Sequence, residues 1–140
     1  MTSTNVARVH QYLQAVAAMG APETVADFFA SDVVFQEFPN RIAPQGRVRR
    51  FADLGAAYGQ GRKILQSQAY NVRRIVEAGD EVAVELEWHG ILAVPVMNLP
   101  AGSEMKRSWR CFSRSATERL FRSKIMTAIY RSARNLAPRN

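Results

Sequence analysis

The chain has 140 residues, 47% of them apolar, and a formal net charge of +7. That size and composition fit one globular domain with a real core. The single cysteine, Cys111, excludes an intrachain disulfide and any multi-thiolate metal site, and two histidines make no metal motif. No apolar run approaches the roughly 18 residues that span a bilayer. The N-terminus also lacks the basic-then-apolar order of a secretory signal. The expectation is a cytoplasmic protein with no membrane partner and no bound metal.

Taken in chain order, residues 5–19 read as a helix. Val6, Val9, Leu13 and Val16 recur at helical spacing, and Gly20 ends the pattern. Pro22 opens a short second helix carrying Val25, Phe28 and Phe29. Residues 32–38 form a first strand, followed by a loop marked by Pro39, Asn40, Pro44 and Gly46. A third helix is expected over residues 51–60, with Arg47, Arg49 and Arg50 as its solvated start.

The period then changes from 3.6 to 2. Residues 65–76 and 81–92 read as two strands joined by a tight turn at Ala78-Gly79-Asp80. In the second, Val82, Val84, Leu86 and Trp88 alternate with Ala83, Glu85, Glu87 and His89. The order predicts an α+β fold: a curved antiparallel sheet with helices packed on one face.

Charge divides the chain. Residues 1–105 carry 9 Lys+Arg and 11 Asp+Glu, whereas residues 106–140 carry 10 Lys+Arg and one acid, Glu118. The natural division is a body over 1–105 and a basic, atypical segment over 106–140 of the same domain. In that segment, residues 115–136 read as a basic amphipathic helix with Phe121, Ile125 and Ile129 at i+4 spacing. Nucleic-acid binding through this tail has only charge to support it, since no aromatic platform accompanies the basic residues.

The stretches VHQYLQAV, FFASDVVFQEFPN, PQG, GRKILQSQAYNV and GDEVAVELEWHG occur in this order. In order and spacing the body resembles the SnoaL-like group of the nuclear-transport-factor-2-like superfamily. Ketosteroid isomerases, polyketide cyclases, limonene-epoxide hydrolases and non-catalytic binding modules belong to that superfamily. The resemblance implies a cone-shaped α+β barrel around an apolar pocket for a small hydrophobic ligand. It also implies a homodimer and, if catalytic, acid–base chemistry without a cofactor.

On that resemblance Glu37 matches the proton-shuttling carboxylate and Tyr12 the helix-1 hydrogen-bond donor of the isomerases. Read from the residues alone, Glu37 is equally a solvated strand end and Tyr12 a core tyrosine with a satisfied hydroxyl. Phe35, Asn40, Tyr58 and Trp88 are the expected pocket residues, and Tyr70 is a further lining candidate without a specific signal. No acid occurs near Trp109 and Arg110, where the isomerases place another carboxyl, so steroid isomerase activity is not implied.

The superfamily expects two long strands where residues 106–140 carry their basic helix. Back-translation of residues 108–121 and 124–135 in a frame shifted by one base allows a strand–turn–strand reading of the superfamily type. The expectation is therefore a reading-frame slip near Lys106 or Arg107 that removes the last strands. It carries a second expectation, lowered stability or dependence on dimerisation.

Overall fold

The fold was obtained as a computed structural model. It describes residues 4–39, 43–116 and 119–129, with side chains as far as Cys111. Helix α1, Thr4–Ala17, turns Val9, Tyr12, Leu13 and Val16 inward, the stripe that helical spacing dictates. A one-turn helix α2, Glu23–Ala26, follows and buries Val25.

Strand β1, Phe29–Glu37, starts earlier than its sequence suggests, so Phe29 belongs to the strand rather than to α2. Its buried residues include Val33, Phe35 and Glu37, which alternate onto one face. The chain then folds back. Gly46 adopts φ +70°, and a Cβ there would meet the Glu37 carbonyl oxygen at 2.6 Å, so only glycine lets the loop approach β1 this closely.

Residues Arg47–Arg50 are strand β2, not the start of a helix, and pair antiparallel with β1, Phe35 opposite Arg49. Main-chain pairing overrides the charge pattern here. Helix α3, Phe51–Ile64, begins where the Arg50 backbone N–H donates to the Asp53 carboxylate at 2.8 Å. None of its residues is fully buried.

Strands β3, Leu65–Ala78, and β4, Glu81–Leu92, form the expected hairpin, with Gly79 at φ +57° in its turn. On β4, Val82, Val84, Leu86, Trp88 and Leu92 are all buried, as strict alternation requires.

The tail corrects the expectation of a helix. Glu104–Ala116 is strand β5 and Arg119–Ile129 is strand β6. Strand β5 pairs antiparallel with β4, and β6 pairs antiparallel with β5 and parallel with β1. The last two strands are therefore present. The i+4 recurrence of Phe121, Ile125 and Ile129 loses to the hydrogen-bonding edges that β5 and β1 offer on either side of β6. Residues 117–118 and 130–136 of the expected helix lie outside the described residues.

The result is one six-stranded open sheet in the order β2-β1-β6-β5-β4-β3. It is antiparallel except at the β1–β6 pair, and it is covered on one face by the helices. The main core lies between α1 and the β4 row, joining Val9, Leu13 and Val16 to Val82, Leu86 and Trp88.

Candidate functional site

Because α3 packs with half-buried residues only, the helices do not seal the sheet. A cavity of about 430 Å³ remains between them. On the helix side it is lined by Tyr12, Val16, Val25, Leu54 and Tyr58. On the sheet side, successive strands contribute Phe35, Arg49, Tyr70, Leu86, Trp109 and Cys111. The wall is mainly hydrophobic and aromatic, with a few polar groups, which is the composition of a small-molecule site.

Four residues singled out from the sequence meet in this cavity: Tyr12, Phe35, Tyr58 and Tyr70. Tyr12 is held by edge-on contacts to Phe28 and Phe29, with ring centroids 5.6 and 5.5 Å away. The Tyr58 hydroxyl donates to the Gly20 carbonyl at 3.1 Å, tying α3 to the end of α1. Burial pushes the Tyr58 phenol above its ordinary pKa.

Glu37 is buried at 8% exposure, not solvated, but it is not among the lining residues. It stands two residues beyond Phe35 on the same face of β1. Its carboxylate reaches the cavity wall through Arg49, whose guanidinium is 3.8 Å away and also lies over the Phe35 ring.

Trp88 does not line the cavity either. Its ring folds over Gly90, where a Cβ would collide with it, and its indole N–H donates to Gln68 at 2.9 Å. Gln68 in turn donates to the Val16 carbonyl, also at 2.9 Å. Trp88 thus ties β4 through β3 to α1, on the same face of β4 as Leu86. Asn40 lies outside the described residues.

His89 projects from the opposite face of β4. Its ring nitrogens meet Glu104 at 3.1 Å and Glu87 at 2.6 Å. These hydrogen bonds, to Glu104 and then Glu87, raise its pKa. The same contact, aided by Arg73, lowers that of Glu87. Among the described residues no cluster of three or more His, Cys, Asp or Glu could hold a metal ion. No described helix is long and apolar enough to cross a membrane.

Comparison with known proteins fits this geometry. The family described as the SnoaL-like domain matches residues 9–119. The chain belongs to the SnoaL-like family. No match was found among curated protein sequences.

Solved structures resemble this SnoaL-like domain in fold. IdmH from Streptomyces antibioticus, a candidate polyketide cyclase, has a TM-score of 0.74 at 19% identity, covering 90% of this chain and 92% of its own. BvnE pinacolase from Penicillium brevicompactum has a TM-score of 0.70 at 12% identity, covering 89% and 84%. A protein of ketosteroid isomerase-like fold from Catenulispora acidiphila, complexed with trimethylamine, has a TM-score of 0.65 at 16% identity, covering 95% and 89%. At these identities the likeness concerns the fold.

Within the SnoaL-like domain, the lining residues that sequence reasoning missed are chiefly Arg49, Trp109 and Cys111. Arg49 was hidden by its basic neighbours, although a strand pairing with β1 would have set it opposite Phe35. Trp109 faces Leu86 across the β4–β5 pair. Carrying the alternation of β4 one strand further would have found it.

Proposed function

We propose that the protein binds a small, largely apolar organic molecule in the helix–sheet cavity and performs acid–base chemistry on it without a cofactor. The observation that carries this reading is the Glu37–Arg49 pair, a buried carboxylate held 3.8 Å from an arginine of the cavity wall. In the reaction, a Glu37 carboxylate oxygen takes a proton from carbon next to a carbonyl. The C–H electron pair moves to the carbonyl oxygen as an enolate, and the proton returns to the same or a neighbouring carbon. Tyr12, on the opposite wall, donates a hydrogen bond to the oxygen that gains charge.

The test is exchange of the α-protons of 1-tetralone in D2O, followed by NMR. The protein is expected to accelerate exchange, and Glu37→Gln to lower the protein-dependent rate at least about 100-fold. An unchanged rate in Glu37→Gln removes Glu37 as the base.

One observation favours a second reading, a non-catalytic binding module: Glu37 does not itself line the cavity. That reading expects bound ligand with no exchange above buffer.

The proposal includes a homodimer in the cytoplasm, which a monomeric sedimentation profile would contradict. It also takes the basic excess beyond Lys106 as the product of a reading-frame slip rather than as a nucleic-acid arm. Sequencing the gene around the Lys106 codon tests this, and an adjacent frame without the superfamily's strand sequences rejects it. Nucleic-acid affinity that falls steeply with salt would restore the arm.

A further inference from the structure

Two of the described residues in the cavity wall carry charge, Glu23 and Arg49. Glu23 is exposed on α2. Arg49 is not: of the four residues of β2 it alone is turned inward, and its side chain keeps 23% exposure. A residue facing a core is ordinarily apolar. Here that position holds a guanidinium.

The guanidinium has donors to spare. Its ion pair with Glu37 spans 3.8 Å, too long for a hydrogen bond. Its other contact is with the Phe35 ring, whose centroid lies 5.9 Å away. None of the described residues accepts a hydrogen bond from the Arg49 side chain. Its nitrogens are nevertheless within reach of a small molecule, since none of them is a closed nitrogen lacking a partner. Phe35 is itself part of the cavity wall, so the fork lying over its ring stands at the cavity.

A guanidinium offers five N–H donors in a planar fork, and the partner that fits this fork best is the pair of oxygens of a carboxylate. Glu37, at ion-pair distance, leaves that fork open. One cation already beside one acid suits a monoanion better than a phosphate dianion, which would meet Glu37 with no second cation to offset it. Around Arg49 the wall is apolar and aromatic, with Leu54, Tyr58, Leu86 and Trp109 able to take a ring.

We propose that Arg49 anchors a carboxylate of the ligand and is shared between that group and Glu37, so the substrate class of this site is a mostly apolar ring compound bearing one carboxylic acid group. The inference deepens the proposed function and rests on the cavity being the ligand site. The carboxylate is a separate group from the carbonyl oxygen that Tyr12 meets on α1, and it sets the orientation of the ligand. An acid held at Arg49 also lies beside Glu37, because the two side chains are 3.8 Å apart.

The test compares two probes of nearly equal shape, 2-naphthoate and its neutral amide 2-naphthamide, in the full-length protein at pH 7. Affinities are measured by ligand-observed NMR for the wild type, Arg49→Met and Glu37→Gln. The wild type is expected to bind naphthoate about tenfold more tightly than naphthamide. Arg49→Met is expected to weaken naphthoate about 10- to 100-fold while naphthamide stays within about threefold, which also shows that the variant is folded. The same substitution in the Glu37→Gln background, where no buried charge remains to destabilise the fold, is expected to abolish the preference too. Glu37→Gln alone removes the competing acid and is expected to tighten naphthoate about three- to tenfold, a gain that an arginine serving Glu37 only would not produce.

Equal affinity of the wild type for both probes, a preference that survives Arg49→Met in either background, or naphthoate no tighter in Glu37→Gln overturns the shared anchor and leaves the cavity as the ligand site. Absence of binding by both probes in the wild type overturns the cavity reading and this inference with it.

Discussion

The Arg49 guanidinium stands 3.8 Å from the Glu37 carboxylate, the one buried charged side chain among the described residues. The two sit on adjacent strands, Arg49 opposite Phe35 and Glu37 opposite Arg47. At that distance the contact is an ion pair rather than a hydrogen bond. Arg49 retains 23% exposure, so water screens part of the attraction.

Replacing Arg49 by Met removes a charge from beside a buried carboxylate. The expected loss is about 1–2 kcal/mol, less than for a fully buried pair because Arg49 is partly solvated. The double variant Arg49→Met/Glu37→Gln is expected to recover part of that loss. A double-mutant cycle from urea unfolding checks it, and strict additivity would show that the two residues do not interact.

Gly90→Ala places a methyl group against the Trp88 ring. The ring is buried and anchored by its bond to Gln68, so it cannot simply swing away. The expected destabilisation is about 1–3 kcal/mol. Gly55→Ala on α3, where nothing lies within 4 Å, serves as the control and is expected to be neutral or slightly stabilising. Thermal melts of the two variants decide the point.

How much of this was legible beforehand depended on local periodicity. The α1 stripe and the β3–β4 hairpin each bury one face, and their apolar periods of 3.6 and 2 are visible in Val9, Leu13 and Val16 and in Val82, Val84, Leu86 and Trp88. Strand β2 was not legible, because Arg-Val-Arg-Arg has no apolar alternation and owes its form to its partner β1. Strands β5 and β6 were masked by charge and by an accidental helical spacing, while their pairing is dictated from β4 and β1. The site followed the same division. Tyr12, Phe35 and Tyr58 were found from their own elements, whereas Arg49 and Trp109 are cavity residues only by virtue of cross-strand register.

Stability is expected to fall as pH rises above neutrality because of His89. Its folded-state pKa is raised by hydrogen bonds to Glu104 and Glu87. The charged ring therefore stabilises the fold fully below its ordinary value of 6.5, and this contribution is lost as pH climbs through the raised value. Glu87 acts in the opposite sense. Its pKa is lowered, chiefly by His89, so its contribution is full above 4.5 and fades as pH falls through the lowered value. Melting temperature measured against pH is expected to decline above 6.5 in the wild type and to be flatter in His89→Gln. Parallel curves would contradict this.

Leu92 is completely buried at the end of β4, where its backbone bonds to Ser103 and Gly102 fix the loop into β5. Leu92→Ala is expected to cost about 2–5 kcal/mol. Urea unfolding measures it. A cost below about 1 kcal/mol would mean that this end of the sheet is not part of the cooperative core.

The central claim, a ligand site between the helices and the sheet, is tested most directly by the two indole N–H resonances of the 15N-labelled protein. Trp109 lines the cavity and Trp88 does not, and the Trp109→Phe variant assigns them. Titration with 1-tetralone is expected to move the Trp109 resonance saturably, by much more than that of Trp88. A Trp109 resonance that stays in place, or moves without saturating, would contradict the account.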